Sequence, residues 1–470
     1  MRRLFFILSF FLSVIISKAQ ITFYGLTSIG GSDNAGTVFS ITPSGQATLI
    51  SSLNTSTAAM PEGSLIYASD CNFYATSVAG GFNDSCTVFR CSDNGFITTM
   101  INLDSAYWGE SASTGSLMQA LDGNMYGMAQ GGNLSFGVIF ELQLNGNYSL
   151  VYAFNGTDGN IPYGSLVQTP DSNLWGLTSG GGTYHLGSIF KCTTQGVCTL
   201  MYSFDSGNGT LPKGDLCMAN DGNFYGLTNM GGTYGVGTVF RFNPSGTYTK
   251  IADFNDTNGA NPNGSLIQAN NGLLYGLTTQ GGSYNKGTLF KCTLTGIITK
   301  LSDFNDTNGA NPMGTLLQAS DDTLYGMTSS GNGLDTLGVV FKSSLSGGIT
   351  KIFDFNDTLG GSPKYGKLIE VDKLCDEGIN ELKTKNEDVR VEPNPNNGKF
   401  AVDFSAEKES GETMIEIYNM LGQQVYDEML KPVQHDYKID LSSRPAGIYL
   451  YRVVTTSGKL IGDGKFVIEK

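Results

Sequence analysis

One unit of about fifty residues recurs seven times along this chain, and that recurrence limits the fold more than any other feature. An aromatic residue in an L/F-Y/W-G-type run stands at Tyr24, Tyr74, Tyr126, Trp175, Tyr225, Tyr275 and Tyr325, at spacings of 50, 52, 49, 50, 50 and 50. A phenylalanine closing a G-T-V-F-like run stands at Phe39, Phe89, Phe140, Phe190, Phe240, Phe290 and Phe341. The glycine of a G-S-L run stands at Gly63, Gly115, Gly164, Gly214, Gly264, Gly314 and Gly366. Three separate anchors hold a single register.

Each unit reads as four short strands, A to D, rich in Leu, Ile, Val, Thr and aromatics. In the copy near residue 270 they are Ser265 to Ala269, Leu273 to Thr278, Gly287 to Cys292 and Ile297 to Asp303. Asn/Asp-Gly pairs such as Asp221-Gly222 supply the A–B turn, because they tolerate the positive φ of a tight β turn. The B–C loop is glycine-rich, and the D–A connection is longer and polar. No apolar face recurs at helical spacing. A lone four-stranded sheet cannot bury both faces, and four strands over 40–50 residues is the usual size of a propeller blade. The first copy starts at strand B, with Ile21-Thr22-Phe23-Tyr24, while the last is followed by a lone strand A at Gly366-Lys367-Leu368-Ile369-Glu370. Joining the two ends would protect the edges of an open array. The predicted fold is therefore all-β. A seven-bladed β-propeller, closed by the C-terminal strand completing the first blade, is followed by a small Ig-like β-sandwich. In that topology the B–C and D–A loops emerge on one rim.

Charge divides the chain. Residues 1–366 carry 37 charged side chains and residues 367–470 carry 33. Predicted segments are a signal peptide at 1–19, the repeats at 20–371, a charged linker at 372–388 and a compact β-domain at 389–470. The signal rests on Arg2 and Arg3, an apolar run from Leu4 to Ile16, and Ser17-Lys18-Ala19 as a cleavage site. That run is too short to span a hydrocarbon core of about 30 Å. No later segment reaches the length of a membrane span, so no transmembrane segment is expected after cleavage. The formal charge of -14 argues against nucleic acid and anionic membranes as partners. Export permits disulfides. Cys192 and Cys198 flank a short turn and are the first candidate pair, and Cys86 and Cys91 the second.

Two resemblances follow from particular motifs. Pro393-Asn394-Pro395 with Gly398 and Phe400, then Ile417 to Gln423 including Gly422, then Pro445-Ala446-Gly447-Ile448-Tyr449, and finally Lys465-Phe466-Val467-Ile468, resemble the type A C-terminal sorting domain of the type IX secretion system of Bacteroidota. The resemblance implies export by that machinery, with Pro393, Asn394, Pro395, Gly422, Gly447, Tyr449 and Lys465 as its sorting motif. The repeat resembles the GloVer (Gloeobacter/Verrucomicrobia) tandem repeat, L-Y-G-x-T-x-x-G-G followed by G-T-V-F, as in Tyr275 to Gly282 and Gly287 to Phe290. Ala75, Cys86 and Ala129 depart from it. This resemblance implies no chemistry.

Catalytic signatures are sparse. The two histidines are His185, in one B–C loop, and His435 in the tail. No G-x-S-x-G elbow or phosphate loop occurs. Carboxylates and amides recur in a D-F-N-D-T pattern at Asp253, Asn255, Asp256, Asp303, Asn305, Asp306, Asp354, Asn356 and Asp357. Such oxygen clusters suit calcium. They equally suit Asx turns that shape the connection between units. Phe82, Tyr184, Tyr234 and Tyr284 follow Gly-Gly pairs at similar places in the B–C loops. Exposed, they form an arc for a glycan or a protein segment; packed, they belong to the neighbouring unit. The reading is a secreted or cell-surface, non-enzymatic binding or scaffold protein with a polysaccharide or protein ligand. The alternatives are an extracellular carbohydrate-active enzyme and a purely structural envelope protein.

Overall fold

The computed structural model describes residues 21–103, 115–131, 136–331, 337–371, 389–404, 413–419, 424–430, 436–455 and 460–469. The segments predicted as signal peptide and linker, and His435 and Gly422, lie outside them. The chain divides into two compact units, Met1–Asp372 and Lys373–Lys470.

The described residues of the first unit form seven four-stranded antiparallel sheets. The sheet near residue 270 consists of Ile267–Gln268, Leu274–Thr278, Thr288–Cys292 and Ile298–Asp303. Strand A is two residues long, shorter than the five-residue run in the sequence. The reason is that the residues before it are committed elsewhere. The Ser265 amide donates to Thr315 Oγ1 of the next copy at 2.9 Å. A Cβ on Gly264 would fall 2.1 Å from the Gly314 carbonyl oxygen. Strands B and C are buried almost throughout, and strand D is half-exposed.

Both faces of B and C are buried because each sheet packs between two others. Tyr275, Leu277 and Phe304 share a core with Leu316, Leu324 and Phe341 of the following copy. Tyr325, Val340 and Phe355 share one with Phe23, Phe39 and Leu368. Six of the seven repeated aromatics are thus core, as the spacing implies, and Tyr24 is half-buried against the second copy. The phenols of Tyr74, Tyr126, Tyr225 and Tyr325 reach back four residues to an aspartate of the A–B turn: Tyr225 donates to Asp221 at 2.8 Å and Tyr325 to Asp321 at 2.9 Å. Burial and that bond push both phenols up. Strand B's glycine lets the strand C ring lie on the backbone. A Cβ on Gly226 would sit 2.3 Å from Phe240 Cζ.

The first sheet takes its A strand from far along the chain. Ile369–Glu370 pairs antiparallel with Phe23–Thr27, matching Phe23 with Glu370 and Tyr24 with Ile369. The G-S-L glycines form a cyclic series. A Cβ on each would abut the carbonyl oxygen of the next, from Gly63 through Gly314, and one on Gly366 would lie 2.5 Å from the oxygen of Gly63.

Cys192 and Cys198 sit directly opposite each other in a hairpin and are disulfide-bonded, with Cα atoms 4.0 Å apart. The second pair is corrected: Cys86 and Cys91 are buried and are not bonded to each other. They lie at opposite ends of one strand, Cys86–Cys91, and an extended strand rises about 3.3 Å per residue, so five residues hold the sulfurs far apart.

The second unit has a three-stranded sheet of Val389–Glu392, Lys399–Phe404 and Asp436–Asp440. Its other sheet runs Gln424–Leu430, Thr413–Asn419, Gly447–Thr455, Leu460–Ile468. Phe400, Val402, Ile415, Ile417, Tyr449 and Phe466 are among the residues of one core. The sequence pattern omits the Val389–Glu392 strand, a run of only four residues that directly follows the charged segment 372–388. The sorting-motif turn is tied to the last strand: Asn394 Nδ2 donates to the Lys465 carbonyl at 3.2 Å, and the Val467 amide donates to Asn394 Oδ1 at 2.9 Å. The Tyr449 hydroxyl donates to the Pro445 carbonyl at 2.9 Å.

Candidate functional site

The glycine-rich B–C loops rest on the polar D–A loops, so the two sets share one face. The Gly282 amide donates to the Asp256 carbonyl at 2.6 Å, Gly232 to Ser206 at 3.0 Å, and Gly182 to Gly156 at 3.1 Å. Glycine is required at these positions: Gly281 has φ +76°, and a Cβ there would meet the Asp256 carbonyl oxygen at 2.6 Å. The next residues are pushed outward. Phe82 is 69% exposed, Tyr184 59%, Tyr234 61% and Tyr284 59%. Large rings this open are unusual in loops anchored so firmly; Tyr184, Tyr234 and Tyr284 share one position, and Phe82 stands one residue earlier, where those copies have Thr183, Thr233 and Ser283.

The carboxylates of the D-F-N-D-T runs meet lysines and backbone amides. Lys250 lies 3.0 Å from Asp253, Lys300 2.9 Å from Asp303 and Lys351 2.8 Å from Asp354. Asp306 meets Lys286 at 3.2 Å. Burial acts to raise the Asp303 carboxyl, but bonds from Lys300 and from the Ser283 amide and hydroxyl outweigh it and hold the group below its ordinary range. The amides make Asx turns: Asn255 and Asn305 each accept from the amide three residues on at 3.1 Å, and Asn356 accepts from Thr358 at 3.1 Å. The Asp256 and Asp357 carbonyls receive loop glycines. Among the described residues no three His, Cys, Asp or Glu side chains converge as metal ligands.

A cleft of about 530 Å³ opens on the same face. Phe136, Ile161 and Leu211 supply apolar wall, and Asn155, Thr157, Asn160, Tyr163, His185 and Lys213 supply polar groups. Ser179, at its base, donates to the Pro212 carbonyl at 2.5 Å. That volume lies in the range of small-ligand pockets. Tyr163 and Lys213 also border a narrow polar depression lined by the G-S-L residues of several copies. The Lys213 ammonium lies 5.7 Å from the Tyr163 ring centroid, a cation–π distance. Burial pushes that ammonium's pKa down.

Sequence reasoning placed the exposed rings and His185 on this face but missed the cleft. The signal lay in the P-x-G triplet before five of the A strands, whose proline and glycine recur while x is Glu62, Tyr163, Lys213, Asn263 or Met313. A position that varies inside an otherwise fixed frame is one the frame does not need.

A family model for the Gloeobacter/Verrucomicrobia repeat matches residues 13–220 and 171–375, most of the chain. The chain belongs to the Gloeobacter/Verrucomicrobia repeat family. The model of a secretion system C-terminal sorting domain matches residues 390–469 of this repeat protein, which is accordingly a secreted or cell-surface protein that engages the secretion machinery. No curated protein matches it. Solved structures similar to it include puromycin hydrolase, with a TM-score of 0.50 and 11% identity over 83% of this chain and 59% of that one. A putative 6-phosphogluconolactonase from Bacteroides uniformis gives 0.49 and 14%, covering 75% of this chain and 100% of that one. PorZ, a surface component of the type-IX secretion system of Porphyromonas gingivalis, gives 0.41 and 13%, covering 93% and 64%. The Gloeobacter/Verrucomicrobia repeat protein thus spans less than two thirds of PorZ and of puromycin hydrolase. At these identities the likeness concerns fold alone: all-β and propeller-like. Among the described residues no helix is long and apolar enough to cross a membrane.

Proposed function

We propose that this protein is a non-catalytic surface scaffold whose repeats form a closed seven-bladed propeller and whose loop-bearing face binds glycan. Closure is supported by the cyclic glycine series and by the core shared between Tyr325 and Phe23. Residues 366–371 complete the first blade in this reading, the propeller spans 20–371, and the sorting domain begins at 389 after cleavage of residues 1–19. The observation that carries the binding assignment is the exposure of Tyr184, Tyr234 and Tyr284 at one repeated position, with Phe82 exposed one residue earlier in the second copy. A flat ring offers a sugar face apolar contact, and the amides and hydroxyls beside it match sugar hydroxyls. The D-F-N-D-T carboxylates act as loop supports in this reading, with calcium contributing nothing.

The test is binding of the purified full chain to a glycan array, alongside a Tyr184→Ala/Tyr234→Ala/Tyr284→Ala triple variant. Saturable binding that the triple variant loses at unchanged melting temperature is expected. Absence of binding to any saccharide would sink the assignment.

A further inference from the structure

We infer that the cleft between the third and fourth repeat sheets is the specificity pocket for an anionic sugar, one carrying a carboxylate or a sulfate ester, with Lys213 as the charge-recognising residue. The inference rests on the glycan-binding reading and adds ligand class and site to it.

Charge is the first ground. The chain carries -14, and lysines bordering its loops are neutralised in place: Lys250, Lys286, Lys300 and Lys351 each face an aspartate. Lys213 is half-buried and, among the described residues, has no carboxylate within ion-pair distance. Its neighbour is the Tyr163 ring. A partly desolvated cation is costly unless something pairs with it. A ligand anion is the missing counter-charge.

The second ground is an orphaned acceptor. Asn160 Oδ1, on the cleft wall, is buried with no hydrogen-bond partner. Buried acceptors are nearly always satisfied. A sugar hydroxyl supplies the donor.

The third ground is backbone conformation. Ile161 has φ +54° and Leu211 +54°, a region that bulky side chains rarely adopt. The equivalent residues of later copies are Asn261 and Asn311, at +50° and +51°, and asparagine tolerates this region. Their amides also donate to Asn229 and Thr279 carbonyls at 3.1 Å. His185, at +59°, stands where other copies have Gly235 and Asn285. Two cleft residues, Ile161 and Leu211, therefore stand where later copies have a residue type that suits the backbone; Met60, at +53°, does so in the first copy, and histidine tolerates this region. The strain at Ile161 and Leu211 is a cost that a role for these side chains in the cleft offsets. The resulting pocket joins apolar wall, ammonium and hydrogen-bonding groups beside the exposed Tyr184 ring.

Isothermal titration of the full chain with an oligogalacturonate, its carboxyl-reduced neutral counterpart and a sulfated galactan oligosaccharide tests this. The expected result is at least roughly tenfold tighter binding of an anionic probe than of the neutral one, weakened by salt. Lys213→Met should abolish that preference at unchanged melting temperature, and Lys213→Arg should retain it. The carboxylated and sulfated arms identify which anion is read. Equal binding of all three probes, or a preference that survives Lys213→Met, overturns the inference and leaves the glycan-binding face intact. No binding of any probe overturns both.

Discussion

At the scale of single residues, the repeat is enforced by contacts that admit little substitution. Gly226 lies under the Phe240 ring, and a methyl there would meet Cζ at 2.3 Å. The second copy carries Ala75 opposite Phe89, so the position accepts a methyl once the ring moves. Gly226→Ala should therefore fold but lose about 1–3 kcal/mol, the usual cost of overpacking, read as a lower urea midpoint at unchanged slope. The Lys300–Asp303 pair contributes to the pH response. The Asp303 carboxyl is held below its ordinary range, so its contribution is complete above the ordinary carboxylate pKa and lost as pH falls through the folded value. The pair is partly exposed, which limits the effect to about 0.2–1 kcal/mol. Wild type should lose more stability than Asp303→Asn between pH 7 and pH 3 in urea unfolding.

At the scale of elements, the loops carry what distinguishes one copy from another. Ile161 occupies a left-handed conformation that costs a β-branched residue about 1–2 kcal/mol. Ile161→Asn should raise the melting temperature and weaken saccharide binding together, measured by calorimetry on one preparation; a rise without loss of binding would separate the strain from the site. Strands B, C and D were legible because apolar residues and turn glycines recur at fixed spacing. Strand A was overextended because Ser265 and its counterparts look like strand residues but bond to the next copy. Exposure of Tyr284 was not decidable from sequence, since a ring after Gly-Gly packs or projects according to backbone φ alone. The cleft was hidden for a related reason. Lys213 and His185 are 28 residues apart and meet only because one D–A loop lies against the preceding B–C loop, as when the Leu211 amide donates to the Leu186 carbonyl at 3.0 Å.

At the scale of the whole repeat unit, the question is whether its ends act as one structure. Leu368 is fully buried beside Gly25 and Phe39, more than three hundred residues away in sequence. Its counterpart Leu316 is equally buried in a sheet whose four strands are contiguous in the chain. In an open array the two would differ: Leu368→Ala would free only the last short strand, while Leu316→Ala would open a core. In a closed ring both create a cavity in one cooperative structure, and each should cost about 2–5 kcal/mol. Hydrogen exchange distinguishes the cases. Closure predicts that Leu368→Ala speeds exchange of amides throughout residues 23–27 and 37–41 to the rates set by global unfolding. Exchange that quickens in 366–371 alone would show that the first sheet holds together without its distant strand, and the propeller reading would fall with it.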